Sequence, residues 1–461
     1  MRHLDTWFPD LTQGDSPVYE RLVEALAADV AAGRLSPGDR LPPQRDLAYR
    51  LGLGVGTVTR AYAEAERRGL LAGHVGRGSF VAERRARDAG PLDLARSLPP
   101  SRDAAQEIAQ TFARLARRPD LIERVGYAPP GGFCGDRQAG ARWIGQISDW
   151  DGLSPERLIC TAGAQQAVSV ALGVLARPGE TVICEAATFA GIKALAEVMG
   201  YRLAGAAMDA EGLTPEGLDE AAARSGAKVA YVLPVQNPTA RVMGEARRRA
   251  IAEVARRRGL MLVEDDLFGA YAGGAGWDRL TPLAALAPER VFYVTALSKS
   301  LAPGLRCGWL VPAAGADWRE RTLNTLHAQA LGGPGLGALV ASAWIEDGAA
   351  LRVLEANRAE LARRAALATE ILGAAAERSP MPGSPHLWLP MDELAAERVC
   401  GRAGRMGVEI TPPQAPLIDS AQLCGLRLCL GGVADLAQAE HALRLVRTAL
   451  DAGEAGARAV I

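Results

Sequence analysis

Val-Thr-Ala-Leu-Ser-Lys-Ser-Leu-Ala-Pro-Gly-Leu-Arg-Cys-Gly-Trp, residues 294–309, is the stretch whose reading decides the fold. It leaves an apolar, β-like run, Val291-Phe-Tyr-Val-Thr295, passes through small and polar residues around Lys299, and reaches Arg306 seven residues later. The chain has 461 residues and 52 Lys plus Arg, yet only three of these are lysines: Lys193, Lys228 and Lys299. An arginine cannot form a Schiff base, whereas a lysine amine can. A lysine kept between two serines just past a strand therefore points to chemistry, although a lone lysine there is ordinarily a surface charge.

On either side of this stretch, apolar runs alternate with helical periodicity. The runs are 157–161, 181–184, 229–233, 261–264 and 291–295; the helical segments are 165–176, 189–199 and 245–258. Such alternation predicts a mostly parallel sheet wrapped by helices, an α/β fold whose ligands lie beyond the C-terminal strand ends. The residue types that carry chemistry fall at those ends. Thr161-Ala-Gly-Ala-Gln-Gln166 opens a helix with small residues, which lets backbone N–H groups approach an anion. Phe189 offers a ring to stack on a flat ligand, or else packs in the core. Asn237, in Pro234-Val-Gln-Asn-Pro-Thr239, offers a donor to a phenolate oxygen. Glu264, Asp265 and Asp266 crowd one strand end; a solvated loop and a metal site are the ordinary readings, and a carboxylate facing a pyridinium nitrogen accounts for them better.

Composition sets the outer limits. Hydrophobic content of 49%, charge of 23% and a net charge of −1 describe an ordinary globular chain that is no polycation. The length allows two or three domains. Seven scattered cysteines, with no C-x-x-C pair, argue for a reducing compartment and against structural zinc; no metal is expected. The N-terminus carries no apolar signal-like run and no segment reaches spanning length, so a cytoplasmic protein without a membrane partner is expected.

Residues 1–82 read differently from the rest. Helical periodicity begins at Val18, a second helix is predicted over Gln44–Leu51, and a third from Thr57 to about Arg68, after the turn Gly52-Leu-Gly-Val-Gly56. Two short strands around a glycine-rich tip, 73–78, would follow. Helix, turn, helix and ribbon make the winged helix-turn-helix plan. The segment holds ten Arg and ten acids overall, but six Arg and three acids between 45 and 77. That is a modest electrostatic footprint for DNA, which leaves phosphate contacts to supply most of the affinity. A winged helix used for protein contact is the alternative. Residues 83–91, Glu-Arg-Arg-Ala-Arg-Asp-Ala-Gly-Pro, read as a short polar linker, and 92–461 as the large domain.

The words Leu35-Ser-Pro-Gly-Asp-Arg-Leu-Pro-Pro-Gln-Arg45 and Thr57-Val-Thr-Arg60 closely resemble the GntR-type DNA-binding domain over about residues 16–82. The resemblance implies double-stranded DNA as partner, with Arg45, Thr57 and Arg60 at the duplex and His74 and Arg77 at the wing tip. The large domain resembles the fold-type I aminotransferase-like domain that uses pyridoxal phosphate (PLP), over nearly all of 92–461. A chain with both is similar to the MocR regulators. That resemblance implies Lys299 as the Schiff-base lysine, Asp265 at the pyridine nitrogen, Asn237 at the ring hydroxyl and Phe189 on the ring face. It places the phosphate with Ala164, Gln165, Ser298 and Arg306, joined by Tyr127 reaching into the partner subunit of a homodimer. Arg427 would hold the carboxylate of a small amino compound.

Three positions depart from the pattern: Ala296 and Phe268 stand where hydroxyl-bearing residues are usual, and Ala187 where a proline is. The expected function is a PLP-dependent DNA-binding regulator that senses an amino compound, or PLP itself, through the bond at Lys299. The alternatives are a working aminotransferase and a repressor whose large domain holds no cofactor.

Overall fold

The computed structural model describes residues 7–9, 11, 16–31, 34–36, 38–74, 78–82, 90–100, 102–272, 278–315, 317–419 and 423–455. The chain divides into two compact units, Met1–Gly90 and Pro91–Ile461, each with its own apolar core. Residues 83–89 of the expected linker lie outside the described residues.

In the small unit, α1 (Val18–Ala31), α2 (Gln44–Leu51) and α3 (Val55–Arg67) pack on one another, and β1 (Leu71–His74) pairs antiparallel with β2 (Gly78–Val81). Leu22, Val23 and Leu26 of α1, Leu47 and Ala48 of α2 and Val58, Ala61, Tyr62 and Ala65 of α3 are buried together. Gly52 ends α2 in the left-handed conformation, with φ of 64°, where a side chain would be strained. The third helix begins two residues earlier than the sequence suggests. Gly54 caps it in an extended conformation and its carbonyl accepts from the Thr57 N–H at 3.0 Å. The glycine pair at 54 and 56 therefore straddles the helix start instead of forming a longer turn.

The large unit is built on a seven-stranded sheet of β4 (Ile159–Thr161), β5 (Thr181–Glu185), β6 (Arg202–Ala206), β9 (Val229–Val232), β10 (Met261–Asp265), β11 (Val291–Ala296) and β12 (Gly308–Val311). The order is β4-β12-β11-β10-β9-β5-β6. Every neighbouring pair is parallel except those made by β12, which runs against β11 and β4. Except for the edge strand β6, whose residues are mostly half-buried, these strands are almost wholly buried, as expected for a sheet covered on both faces. The helices Ala164–Leu175, Ala190–Met199 and Glu245–Arg258 return the chain between strands. The last of them carries Glu245 in its first turn, three arginines in its last, and Gly259 at φ 65° beyond, so charge and cap agree on its bounds.

The remaining strands are short pairs: β7 (Met208–Asp209) with β8 (Gly212–Leu213), β13 (His386–Pro390) with β15 (Gly425–Cys429), and β3 (Leu92–Leu94) with β14 (Val408–Ile410). The β3–β14 pair is parallel and joins the start of the large unit to its C-terminal part. Among the described residues no helix is long and apolar enough to cross a membrane, and no group of His, Cys, Asp and Glu is placed to hold a metal ion.

Candidate ligand pocket and nucleic-acid interface

The five neighbouring parallel strands end on one side of the sheet, and the loops after β4, β5, β9, β10 and β11 line a pocket of about 110 Å³. It is lined by Ala164, Gln165, Phe189, Asn237, Asp265, Ser298, Lys299 and Arg306, together with Leu233, Leu267 and Phe268. The first eight are all residues singled out from the sequence. Asp265 is the last residue of β10, and Lys299 follows the end of β11 by three positions.

Lys299 is largely buried and donates from Nζ to the Ser97 carbonyl at 2.8 Å. Burial pulls its amine below the ordinary lysine range; Arg427 and Arg306 push the same way, and Cys429 and Asp265 oppose them. An amine so shifted is more readily free of its proton, and so a better nucleophile. Tyr271 Oη fixes the backbone beneath it, donating to the Lys299 carbonyl at 2.6 Å.

The three acids at the end of β10 do different work. Glu264 accepts from the Leu283 and Ala284 N–H groups at 2.8 and 2.9 Å, and Asp266 accepts from Tyr293 Oη at 3.0 Å. Asp265 alone lines the pocket. Its Oδ2 accepts from Tyr231 Oη at 2.5 Å, while Oδ1 is buried without a partner. Burial raises its carboxyl to about 6, with Tyr231 and Lys299 opposing the shift and Asp266 adding to it. A buried carboxylate oxygen left open toward a cavity suits a cationic N–H.

The opposite end of the pocket suits an anion. Gly163, at φ 89°, turns the chain into the helix Ala164–Leu175, whose first N–H groups have no carbonyl within the helix. Arg306 lies against this turn, donating to the Ala162 carbonyl at 2.8 Å; a Cβ on Gly163 would stand 2.7 Å from its Nη2. Phe189 caps the next helix. A Cβ on Gly191 would stand 2.2 Å from the ring, so only glycine leaves the ring room. Asn237 Oδ1 accepts from Arg427 Nη1 at 2.7 Å, and Arg427 Nη2 donates to Thr411 Oγ1 and the Ala95 carbonyl, both at 2.7 Å. Arg427 thus stands behind Asn237, its Nε buried and unpartnered.

Tyr127 is 84% exposed and lies outside this chain's own pocket. Several contributors were not visible in the sequence. Tyr231 is one residue of an apolar strand, and Ser97 lies 202 residues from the lysine it meets. His386 is buried, its ring edge-on to Phe268 at 4.7 Å between centroids and its Nε2 2.7 Å from Ser97 Oγ. No local pattern announces any of the three.

In the small unit, Arg45 is exposed on α2, and Thr57 sits in the first turn of α3. Arg60 is exposed too, but its guanidinium lies over the Tyr19 ring at 3.9 Å and donates to Tyr19 Oη at 3.2 Å, so it is braced by α1. The His74 side chain and Arg77 lie outside the described residues.

Fold and pocket together define an aminotransferase-type domain of fold type I, preceded by a winged helix. The chain belongs to the aminotransferase class I and II family, whose model matches residues 93–444, and the model of the gntR family of bacterial regulatory proteins matches residues 18–81. The combination is the MocR-type fusion, and the large domain's family is one of PLP-dependent proteins. The chain is 25% identical to the HTH-type transcriptional regulator YdeF of Bacillus subtilis, across 97% of both chains. It is 27% identical to the pyridoxine biosynthesis transcriptional regulator PdxR of Corynebacterium glutamicum, over 77% of this chain and 78% of that one. Among solved structures, LysN, the alpha-aminoadipate aminotransferase of Thermus thermophilus complexed with N-(5'-phosphopyridoxyl)-L-leucine, superposes with a TM-score of 0.70 at 26% identity, covering 80% of this chain and 94% of that one.

Proposed function

We propose that this chain is a cytoplasmic, homodimeric, DNA-binding transcriptional regulator controlled by PLP at Lys299, and that it responds to an amino compound or to PLP itself. The observation that carries this reading is Asp265 Oδ1, buried, unpartnered and lining the same pocket as a largely buried lysine amine. Lys299 would hold the cofactor covalently, Asp265 its pyridine nitrogen, Asn237 its ring hydroxyl and Phe189 its face. Ala164, Gln165, Ser298 and Arg306 would take its phosphate. Bound PLP supplies an aldehyde carbon for amines and a ring that withdraws electrons.

Each residue contributes something definite. Arg306 and the helix N-terminus neutralise a dianion without a proton. Asp265, held by Tyr231, keeps a proton on a ring nitrogen. Arg427, steadied by Asn237 and Thr411, presents a fork for a carboxylate and selects amino acids over simple amines. The exposed Tyr127 and the two-fold symmetry usual for DNA half-sites support the dimer. Arg45, Thr57, Arg60, His74 and Arg77 would contact the duplex.

The complete set Lys299, Asp265, Asn237 and Arg427 also favours a working aminotransferase. Sustained release of a keto acid from added amino acids would select it over the regulator, which binds and stops. The deciding experiment is borohydride reduction of PLP-treated full-length protein, followed by peptide mass mapping. A pyridoxyl group is expected on the peptide containing Lys299 and nowhere else, and its absence overturns the reading. Gel shifts with DNA upstream of the adjoining gene test the rest; no complex at low salt would sink the regulator.

A further inference from the structure

Lys299 and Arg427, two of the basic side chains at the pocket, donate to one short stretch of backbone. The Ser97 carbonyl accepts from Lys299 Nζ at 2.8 Å, and the Ala95 carbonyl accepts from Arg427 Nη2 at 2.7 Å. Thr411 Oγ1 also donates to the Ala95 carbonyl, at 2.9 Å. Ser97 is fixed from behind by His386, whose Nε2 lies 2.7 Å from Ser97 Oγ. His386 in turn packs on Phe268, a wall of the pocket. Burial, then Arg427 and Lys299, hold the imidazole well below its ordinary range, so it stands there neutral.

The stretch is a compact turn. Asp93 Oδ1 accepts from the N–H groups of Ala95 and Arg96, both at 2.9 Å. Its backing is bare backbone. A Cβ on Gly431 would stand 1.8 Å from the Leu98 carbonyl, and one on Gly432 2.4 Å from that of Asp93, so neither position interposes a side chain. The turn directly follows β3, the first strand of the large unit, and begins four residues after Pro91, where that unit starts.

We propose that Ala95–Ser97 is the stretch through which occupancy of the pocket reaches the DNA-binding unit, and that Ser97 and His386 are positioning residues coupling it to Lys299. This rests on Lys299 being the cofactor lysine. Condensation of its neutral amine with an aldehyde would form a carbon–nitrogen double bond and release both amine hydrogens in water, leaving no N–H for the Ser97 carbonyl. A carboxylate arriving at Arg427 competes with the Ala95 carbonyl for Nη2. Both ligand groups therefore withdraw hydrogen bonds from the same three residues, and an amine released from the cofactor returns one.

The test uses the full-length protein and PLP as the probe. Amide hydrogen exchange of the peptide spanning 93–98 should quicken several-fold when PLP is added. In Lys299→Ala it should be fast without PLP and insensitive to it. Equal rates in the three samples overturn the proposal. The same samples are reduced with borohydride: an adduct on Lys299 with unchanged exchange sinks only the coupling, whereas no adduct sinks the underlying assignment as well. DNA affinity supplies the second readout. In wild type, PLP should change the dissociation constant by about fivefold or more, an ordinary allosteric coupling. Ser97→Ala and His386→Phe should shrink that ratio toward one, and His386→Gln, which can still pair with the Ser97 hydroxyl, should restore much of it. An undiminished ratio in Ser97→Ala and His386→Phe refutes the role of both residues.

Discussion

Tyr231 Oη donates to Asp265 Oδ2 at 2.5 Å across two neighbouring strands, β9 and β10, and both residues are fully buried. The phenol satisfies one carboxylate oxygen and leaves the other to the pocket. Tyr231→Phe removes the phenol's hydrogen bond from Oδ2. Removing one partner from a buried acceptor costs about 1–3 kcal/mol. The cofactor-free variant should lose stability by that amount in urea unfolding, and it should bind PLP more weakly. Unchanged stability would mean that the tyrosine is dispensable to Asp265.

The same carboxyl gives a pH dependence with a definite sign. Asp265 is raised from 3.8 to about 6 and Glu185 from 4.5 to about 7, in each case chiefly by burial. The folded chain therefore keeps protons that the unfolded chain has already released. Stability from these groups is full below their unfolded values and is lost as pH rises through about 6 and 7. For Asp265 alone the span corresponds to about 3 kcal/mol. Cofactor-free protein should be less stable at about pH 8 than at about pH 5, and Asp265→Asn should flatten part of that fall. Added PLP should stabilise more at the higher pH, where the open oxygen carries charge. An identical pH profile for wild type and Asp265→Asn would contradict this.

Gly191 sits under the ring of Phe189, with room for hydrogen and nothing more. Gly191→Ala must turn the ring, since an added Cβ would lie 2.2 Å from it. An aromatic contact of this kind is worth about 0.5–1.5 kcal/mol, so PLP affinity should fall by up to about tenfold. Absorbance titration measures it, and circular dichroism should show an intact fold. An unaltered affinity would mean that Phe189 touches no cofactor.

Arg45 projects from the start of α2 into solvent. If it meets a phosphate, Arg45→Ala should weaken binding to all sequences alike and reduce the salt slope of log affinity by about one. A slope equal to that of the wild type removes Arg45 from the interface. Arg60 differs, because Tyr19 already holds its guanidinium. Tyr19→Ala should therefore weaken DNA binding through Arg60's loss of orientation, and Arg60→Ala should add little to it in a double-mutant comparison.

Local sequence determined the elements, and with them most of the pocket. Apolar runs and helical periods settle where strands end, and Lys299, Asp265, Asn237 and Phe189 each lie within a few residues of such an end. In a parallel sheet those ends converge by topology, so residues near in each local segment become near in space. The start of α3 was less legible, because a Gly-Val-Gly sequence reads as a turn until packing of Val58 and Tyr62 selects the helix.

Tertiary structure alone decided how the site is held. Arg427 meets the Ala95 carbonyl across 332 positions, and Ser97 meets His386 across 289. A carbonyl acceptor has no residue signature, and which of three adjacent acids faces the cavity depends on strand orientation and on donors from other strands. Tyr231 could be any core aromatic until β9 is laid beside β10. Periodicity is written in neighbouring residues, whereas hydrogen-bond partners are chosen by distances that only the folded chain creates.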